Sequence, residues 1–217
     1  MIADRTAFIR AHTRLLPVPH APEISLYVAD EATALWQKTE DELHEVGLDP
    51  PFWAFAWSGG QALARYVLDT PAAVKGRFVL DFASGSGLVA IAAARAGAAT
   101  IIAADIDPFA ACAIRLNAEA NGVSERIGVV LDDIVGSDDG WETVLAGDIC
   151  YQKDVAARVT AWLHQLSRRG AFVLIGDPGR SYLPRAELIE IATYEVPTTR
   201  ALEDADIKRS SVWRFTD

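Results

Sequence analysis

Cysteine is scarce: the 217 residues hold two, Cys112 and Cys150. Two thiols cannot build a disulfide framework, which excludes the stapled secreted scaffolds and leads us to expect a reducing, cytoplasmic setting. Long apolar runs are also missing. No stretch approaches the roughly 18 consecutive apolar residues of a membrane-spanning helix, and the opening Met1-Ile2-Ala3-Asp4-Arg5 has no apolar signal core. Positive charge is in deficit, with 20 Lys and Arg against 30 Asp and Glu for a net −10. A phosphate backbone needs clustered cations, so neither nucleic acid nor membrane is expected as a partner; small molecules or a basic protein segment remain. The four histidines (His12, His20, His44 and His164) share no ligand spacing, and none lies near Cys150 in sequence. Neither a metal nor a Cys–His nucleophile is therefore expected, and Cys112 reads as a buried apolar residue on a helix. Repeats, low-complexity tracts and flexible linkers are absent as well. What remains is 51% hydrophobic and 23% charged residues, a balance that excludes a disordered chain or a fibre and suits one globular domain.

Residues 1–50 read as an N-terminal helical leader, a cap on the substrate side of a domain spanning 51–217. Arg5, Arg10, His12 and Arg14 open it, and Pro17, Pro19 and Pro22 break any long helix there. An amphipathic helix is expected over 30–46, with Leu35, Trp36, Leu43 and Val46 on one face and Glu40, Asp41, Glu42 and Glu45 on the other. Pro50-Pro51 ends it. After a second helix over 60–68, strand-like runs at 77–82, 100–105, 128–132, 143–148 and 171–176 alternate with helical segments. Leu88–Ala94 is a strong helix former stopped at Gly97. Asp107 is a natural N-cap, Pro108 a natural first helical residue, and Asn121-Gly122 an exit. Alternation of this kind implies a parallel sheet with right-handed crossovers. Two last runs, 193–199 and 210–215, have no convincing helix between them and would pair as an antiparallel hairpin at the sheet edge. The fold class is α/β: a Rossmann-like, mostly parallel sheet of seven strands with helices on both faces.

Val79-Leu80-Asp81-Phe82-Ala83-Ser84-Gly85-Ser86-Gly87-Leu88 takes a strand through a glycine turn into a helix. Gly85 and Gly87 allow a tight turn and close approach of a ligand to the backbone. Asp105, at the end of the next strand, stands where a carboxylate accepts hydrogen bonds from a ribose diol. NAD(P) and S-adenosylmethionine compete for such a loop. Asp81, four residues before Gly85, would repel a pyrophosphate at the helix N-terminus but suits the ammonium of a methionine moiety. With the antiparallel tail, this favours S-adenosylmethionine and the seven-stranded class I methyltransferase sheet. Asp132 and Asp133 close the third strand, where an acid reaches an adenine amino group; either serves, and Asp133 is preferred because an apolar residue follows it.

Pro51-Phe52-Trp53-Ala54-Phe55-Ala56-Trp57-Ser58-Gly59-Gly60-Gln61-Ala62-Leu63-Ala64-Arg65-Tyr66 resembles the block before the glycine loop in protein lysine methyltransferases, the type that modifies the electron transfer flavoprotein β-subunit. Asp81–Gly87, Asp105–Ala110, Gly147-Asp148-Ile149-Cys150-Tyr151, Ile175–Arg180 and the final Val212-Trp213-Arg214-Phe215 are similar too. The glycine loop is common to many methyltransferases, whereas the Trp-rich and Asp-x-x-Tyr blocks are more specific. The resemblance implies S-adenosylmethionine as donor, a lysine ε-amine as acceptor, and an acceptor motif of an acid, two residues, then an aromatic. Asp148 and Tyr151 match it. Close family members often carry Phe where Cys150 stands and an acid where Gln152 stands. The residues expected at the donor are Trp57, Asp81, Ala83, Ser84, Gly85, Ser86, Gly87, Asp105, Ile106 and Asp133, while Phe52, Trp53 and Phe55 read as core filling.

A lysine amine ionises near 10.4, so it must lose a proton before it can attack a methyl group. A nearby sulfonium and partial desolvation both push that value down. Asp148 is expected to orient the amine rather than act as a strong base, because a bare carboxylate also stabilises the ammonium. Tyr151 is expected to wall the lysine channel, offering a cation–π face or a phenolic acceptor. The favoured acceptor is the flavoprotein β-subunit, followed by a ribosomal protein and then a small molecule. A non-catalytic S-adenosylmethionine-binding module is the competing class, and the intact Asp148/Tyr151 pair argues against it.

Overall fold

A computed structural model describes residues 2, 4–29 and 50–216; the amphipathic helix expected over 30–46 lies outside them. The chain opens with α1 (Arg5–His12), capped by Asp4, whose side chain accepts a hydrogen bond from the Ala7 N–H at 2.9 Å. Two antiparallel strands follow, β1 (Arg14–Val18) and β2 (Ala21–Val28). The described part of the leader is thus a helix and a hairpin, not helical throughout. Pro17 is accommodated because β1 pairs on one side only and its register shifts between Pro17 and Val18.

The rest of the described chain runs α2 (Ser58–Asp69), β3 (Phe78–Phe82), α3 (Leu88–Arg95), β4 (Thr100–Asp105), α4 (Pro108–Ala120), β5 (Ile127–Leu131) and β6 (Thr143–Gly147). It continues through α5 (Lys153–Arg169), β7 (Phe172–Asp177), β8 (Leu188–Pro197), a single turn α6 (Arg200–Glu203) and β9 (Ile207–Phe215). Asp107 caps α4 by accepting from the Phe109 N–H at 2.7 Å. Gly170, at φ 105°, ends α5 in the left-handed conformation that favours glycine.

The large sheet has the order β5-β4-β3-β6-β7-β9-β8, with β3 through β7 parallel and β9 antiparallel to both β7 and β8. The seven expected strands are all present; β8 begins earlier than its run suggested, and α6 interrupts the hairpin. Alternate residues point to opposite faces. Val79, Ile101, Ala103, Leu145 and Leu174 join α2, α3 and the hairpin residues Ile24 and Leu26 in one core. Leu80, Ala104, Val144, Val173 and Ile175 join Trp162, Leu163 and Leu166 of α5 in the other. A third cluster packs Ile9 of α1 and Trp53 against Phe109 and Leu116 of α4. The strand order reverses between β3 and β6, so ligands are expected outside their carboxyl ends.

Candidate functional site

The glycine loop leaves β3 at that reversal. Asp81 is buried, and its Oδ2 accepts from the Ser84 hydroxyl at 2.5 Å and the Ala90 N–H at 2.9 Å, tying the loop to the start of α3. Burial nevertheless pushes its carboxyl up to about 7 against those two bonds. Ala83, Gly85 and Gly87 have φ of 52°, 54° and 82°. A Cβ on Gly87 would lie 3.2 Å from Ile114 Cα, so α4 presses directly on the turn, whereas one on Gly85 would meet nothing within 4 Å. Gly85 faces open space, which is what a ligand lying along the backbone requires.

The neighbouring strand ends complete this half of the site. The Gly85 N–H donates to Asp105 Oδ2 at 2.8 Å, while Asp105 Oδ1 accepts from the Asp107 N–H at 3.0 Å. Burial raises the Asp105 carboxyl. Ile106 is 73% exposed, a large apolar side chain left open next to Asp105, and Leu131 at the end of β5 is also exposed. Ser86 is buried, and its carbonyl accepts from the Asn117 amide at 2.7 Å; Asn117 Oδ1 in turn accepts from the Tyr27 N–H, joining loop, α4 and β2. Asp133 sits apart. Its carboxylate accepts from Arg158 of α5 at 2.7 Å and from the Val135 N–H at 3.2 Å.

A second group gathers at the ends of β6 and β7. Asp148 stands at φ 57°, and its N–H donates to the Gly176 carbonyl at 2.8 Å. Its Oδ2 accepts from the Gly60 N–H at 2.7 Å, and its Oδ1 from Arg180 Nη2 at 3.0 Å. Burial pushes this carboxyl up to about 6; Arg180 pulls it down, and Glu203 and Asp177 push it further up. The Gly60 contact depends on α2 lying backbone-to-backbone on β7: a Cβ on Gly176 would collide with the Gly59 carbonyl and come within 2.8 Å of Leu63 Cβ.

Arg180 also lies 3.7 Å from Glu203 and 6.0 Å from the centre of the Trp57 ring. Glu203, buried on α6, accepts from both the N–H and hydroxyl of Ser58 at 3.1 and 2.7 Å. Asp177 Oδ1 accepts from the N–H groups of Gly179 and Arg180, and its buried Oδ2 has no hydrogen-bond partner among the described residues. Tyr151, 46% exposed, packs 5.5 Å from Phe52, whose ring lies 5.8 Å from Trp57. The Trp57 ring, expected beside the donor, thus lies in a row with those of Phe52 and Tyr151. Phe52 is exposed and does not fill the core, unlike the buried Trp53 and Phe55. Burial, and after it the Asp105 charge, raises the Tyr151 phenol.

Sequence reasoning missed the roles of Arg180, Asp177, Glu203 and Phe52. The Ile175–Arg180 block was visible as a match without a role, and a single-turn helix gives Glu203 no periodic signal. Cys150 is fully buried, and burial pushes its thiol up to about 12, which disfavours the thiolate. Cys112 is half-buried on α4. Among the described residues, no group of three or more His, Cys, Asp and Glu side chains is placed to hold a metal ion. A cleft of about 530 Å³ beside α5, lined by His164, Arg168, Tyr182 and Glu187 among others, holds none of the site residues.

Residues 61–150 match the family described as ribosomal protein L11 methyltransferase (PrmA). A zebrafish (Danio rerio) protein named electron transfer flavoprotein beta subunit lysine methyltransferase is 38% identical over 200 residues, covering 89% of this chain and 76% of that protein. The human (Homo sapiens) protein of the same name is 36% identical over the same length, covering 89% and 75%. The chain belongs to the electron transfer flavoprotein β-subunit lysine methyltransferase family. Like the family, it is an S-adenosylmethionine-dependent methyltransferase. Its fold agrees: magnesium protoporphyrin IX methyltransferase from Synechocystis PCC 6803, solved with S-adenosylhomocysteine bound, superimposes with a TM-score of 0.53 at 16% identity, covering 73% of this chain and 84% of that one. The residues present fit the donor, with an open glycine backbone at Gly85, a carboxylate at Asp105 and the exposed apolar Ile106 around one strand reversal. Among the described residues, no helix is long and apolar enough to cross a membrane.

Proposed function

We propose that this methyltransferase modifies a lysine ε-amine on a protein, and that the protein is the electron transfer flavoprotein β-subunit. The observation that carries the reading is the largely buried Asp148 carboxylate at the end of β6, with the exposed Tyr151 ring three residues on, in a chain 36–38% identical to relatives of that name. When bound, S-adenosylmethionine supplies a methyl carbon made electrophilic by its sulfonium. The lysine nitrogen lone pair forms the new N–C bond while the C–S electron pair returns to sulfur, and the amine releases its proton to solvent.

Asp105 is proposed to take the ribose diol, with Ile106 against the adenine. For the adenine amino group we now favour Asp132 over Asp133, because the Asp133 carboxylate is already paired with Arg158. Asp81 serves by holding Ser84 and the α3 backbone, which shapes the loop beneath the methionine moiety. Asp148 orients the amine, and Tyr151 with Phe52 and Trp57 forms an aromatic wall along the lysine chain. We extend the assignment of Trp57 from the donor to this wall. Residues 1–50 remain a candidate cap beside the domain at 51–217. Two free thiols fit a reducing compartment, and we place the protein in the cytoplasm.

A second reading, methylation of a ribosomal protein, draws on the match of residues 61–150 to the ribosomal protein L11 methyltransferase family. Both readings are tested by incubating the protein with isotopically labelled S-adenosylmethionine and purified β-subunit or ribosomal protein L11, then mapping label by mass spectrometry. The expected result is labelled lysine on the β-subunit. Label confined to L11 would establish the second reading, and label in a low-molecular-weight product would overturn both.

A further inference from the structure

We infer that Arg180 is a positioning residue for methyl transfer: it holds the Asp148 carboxylate in place and offsets its charge, so that an incoming lysine amine can bind there uncharged. The inference rests on the protein-lysine reading above and goes beyond it by assigning a residue that acts only through Asp148.

The geometry is specific. Asp148 is 11% exposed at the side chain, and its two oxygens each accept one bond, from Gly60 N–H and from Arg180. A carboxylate has about four lone-pair positions, so acceptor capacity is left for one amine N–H. Arg180 is itself held. Its N–H donates to Asp177 Oδ1 at 2.7 Å, its guanidinium faces Asp148 and Glu203, and the Trp57 ring lies to one side. Arg180 Nε is buried and has no hydrogen-bond partner among the described residues, so the carboxylates meet the guanidinium through its Nη2.

The chemistry needs both halves of that arrangement. A bare buried carboxylate would stabilise a lysine ammonium, which has no lone pair to attack with. A protonated Asp148 would be equally harmful, because its O–H would donate to the same lone pair. Pairing with a permanent cation avoids both, since the carboxylate stays ionised and acceptor-only while its field on the substrate nitrogen is offset. The charged and titratable groups facing Asp148 are Arg180, Asp177, Glu203 and Cys150, from β7 and the loop after it, from α6 and from its own loop. Lys208 of β9 stands behind Glu203 at 4.0 Å. Cys150 stays a neutral thiol, which leaves Arg180 as the cation in direct contact with Asp148.

The experiment compares wild type with Arg180→Met and Arg180→Lys. It follows kcat/KM for β-subunit methylation from pH 5.5 to 9, donor affinity by calorimetry, and the Asp148 carboxyl carbon by NMR titration. Removing a cation this close is expected to raise the acid limb of the profile, and the NMR midpoint with it, by about one to three pH units. Arg180→Lys keeps the charge and loses the fork, so its limb is expected to stay put while kcat falls roughly tenfold to a hundredfold. Donor affinity is expected to be unchanged in both. An unmoved limb and midpoint in Arg180→Met would overturn the inference. So would wild-type turnover in Arg180→Lys, or a lower KM in either variant, which would make Arg180 a mere occupant that the substrate displaces. The NMR midpoint needs no acceptor, so loss of the lysine reading (no transfer by wild type) is distinguishable from loss of this one.

Discussion

At Asp148 both carboxylate oxygens meet donors, the Gly60 N–H and the Arg180 guanidinium. Asparagine there preserves shape and tolerates the φ of 57°. Whichever way its amide turns, one NH₂ faces a donor. Asp148→Asn is therefore expected to destabilise the fold by about 1–3 kcal/mol and to lower transfer at least roughly a hundredfold, with donor affinity intact because the glycine loop is untouched. Calorimetry for the donor and labelled transfer for turnover separate the two; equal losses in both would refute the orienting role. The residue-level chemistry legible in the sequence was that carried by local spacing. The loop residues 83–87, Asp105 one strand later, and the Asp148/Tyr151 pair all sit at strand ends that apolar runs announce. Arg180 and Glu203 were not legible in the same way. Their meeting depends on the antiparallel return of β9 and on a one-turn helix, neither of which leaves a periodic trace. The pairing of Asp133 with Arg158 was hidden for a similar reason, since the partner comes from the far side of a crossover.

Among the elements, α2 and β7 approach so closely that glycines replace side chains between them. A Cβ on Gly176 would strike the Gly59 carbonyl and Leu63, and this backbone contact delivers the Gly60 N–H to Asp148. Gly176→Ala is expected to cost about 1–3 kcal/mol by overpacking and to lose activity through Gly60. Gly85→Ala provides the contrast. Nothing lies within 4 Å of its Cβ, so its stability loss is confined to the left-handed φ, about 1–2 kcal/mol, while donor affinity falls because the methyl enters the open face. Urea denaturation and donor titration of both variants check this, and undiminished donor affinity in Gly85→Ala would count against the assigned donor site. The strands were readable because each buries alternate faces in two cores, and the helices because caps such as Asp107 and Asn121 mark their ends. The β1–β2 hairpin was not. Pro17, Pro19 and Pro22 signalled only the end of helix, and β1 buries Val18 alone, so no alternation betrays it as a strand. Its place comes from tertiary bonds: the Tyr27 N–H donates to Asn117 of α4 and the Ser25 N–H to Asn121, the C-cap of that helix.

Across the whole molecule, four of the acids behind the net charge of −10 are shifted by burial. Burial raises Asp81 to about 7 and Asp148 to about 6, and it raises Asp105 and Asp177 as well. In the unfolded chain these acids return to their ordinary value of 3.8. Between roughly pH 4 and 7 the folded state therefore binds more protons than the unfolded state, and stability falls as pH rises through that window. His20 opposes this as a single group: burial lowers it below 6.5, so it favours folding as pH rises. Glu23, Asp133 and Glu190 are lowered by Arg65, by Arg158, and by Thr193 with Ser211. Their stabilisation is lost only at pH values below the ordinary carboxylate range, outside the window. The expected outcome is a urea midpoint higher at pH 6 than at pH 8, by a free energy of about 1–2 kcal/mol, with Asp81→Asn flattening the upper part of the slope. A midpoint that rises with pH would mean that these acids are ionised without penalty in the folded protein. Ligands sharpen the test, because S-adenosylmethionine carries a sulfonium that favours the ionised Asp81 and Asp105 at the glycine loop and S-adenosylhomocysteine carries a neutral thioether. Donor affinity is accordingly expected to increase from pH 6 to pH 8 more steeply than product affinity, with proton release on donor binding visible by calorimetry in buffers of different ionisation enthalpy. Equal pH dependence for the two ligands would place the titrating acids beyond the reach of the sulfonium, and the site's negative charge would then serve the cationic lysine loop alone.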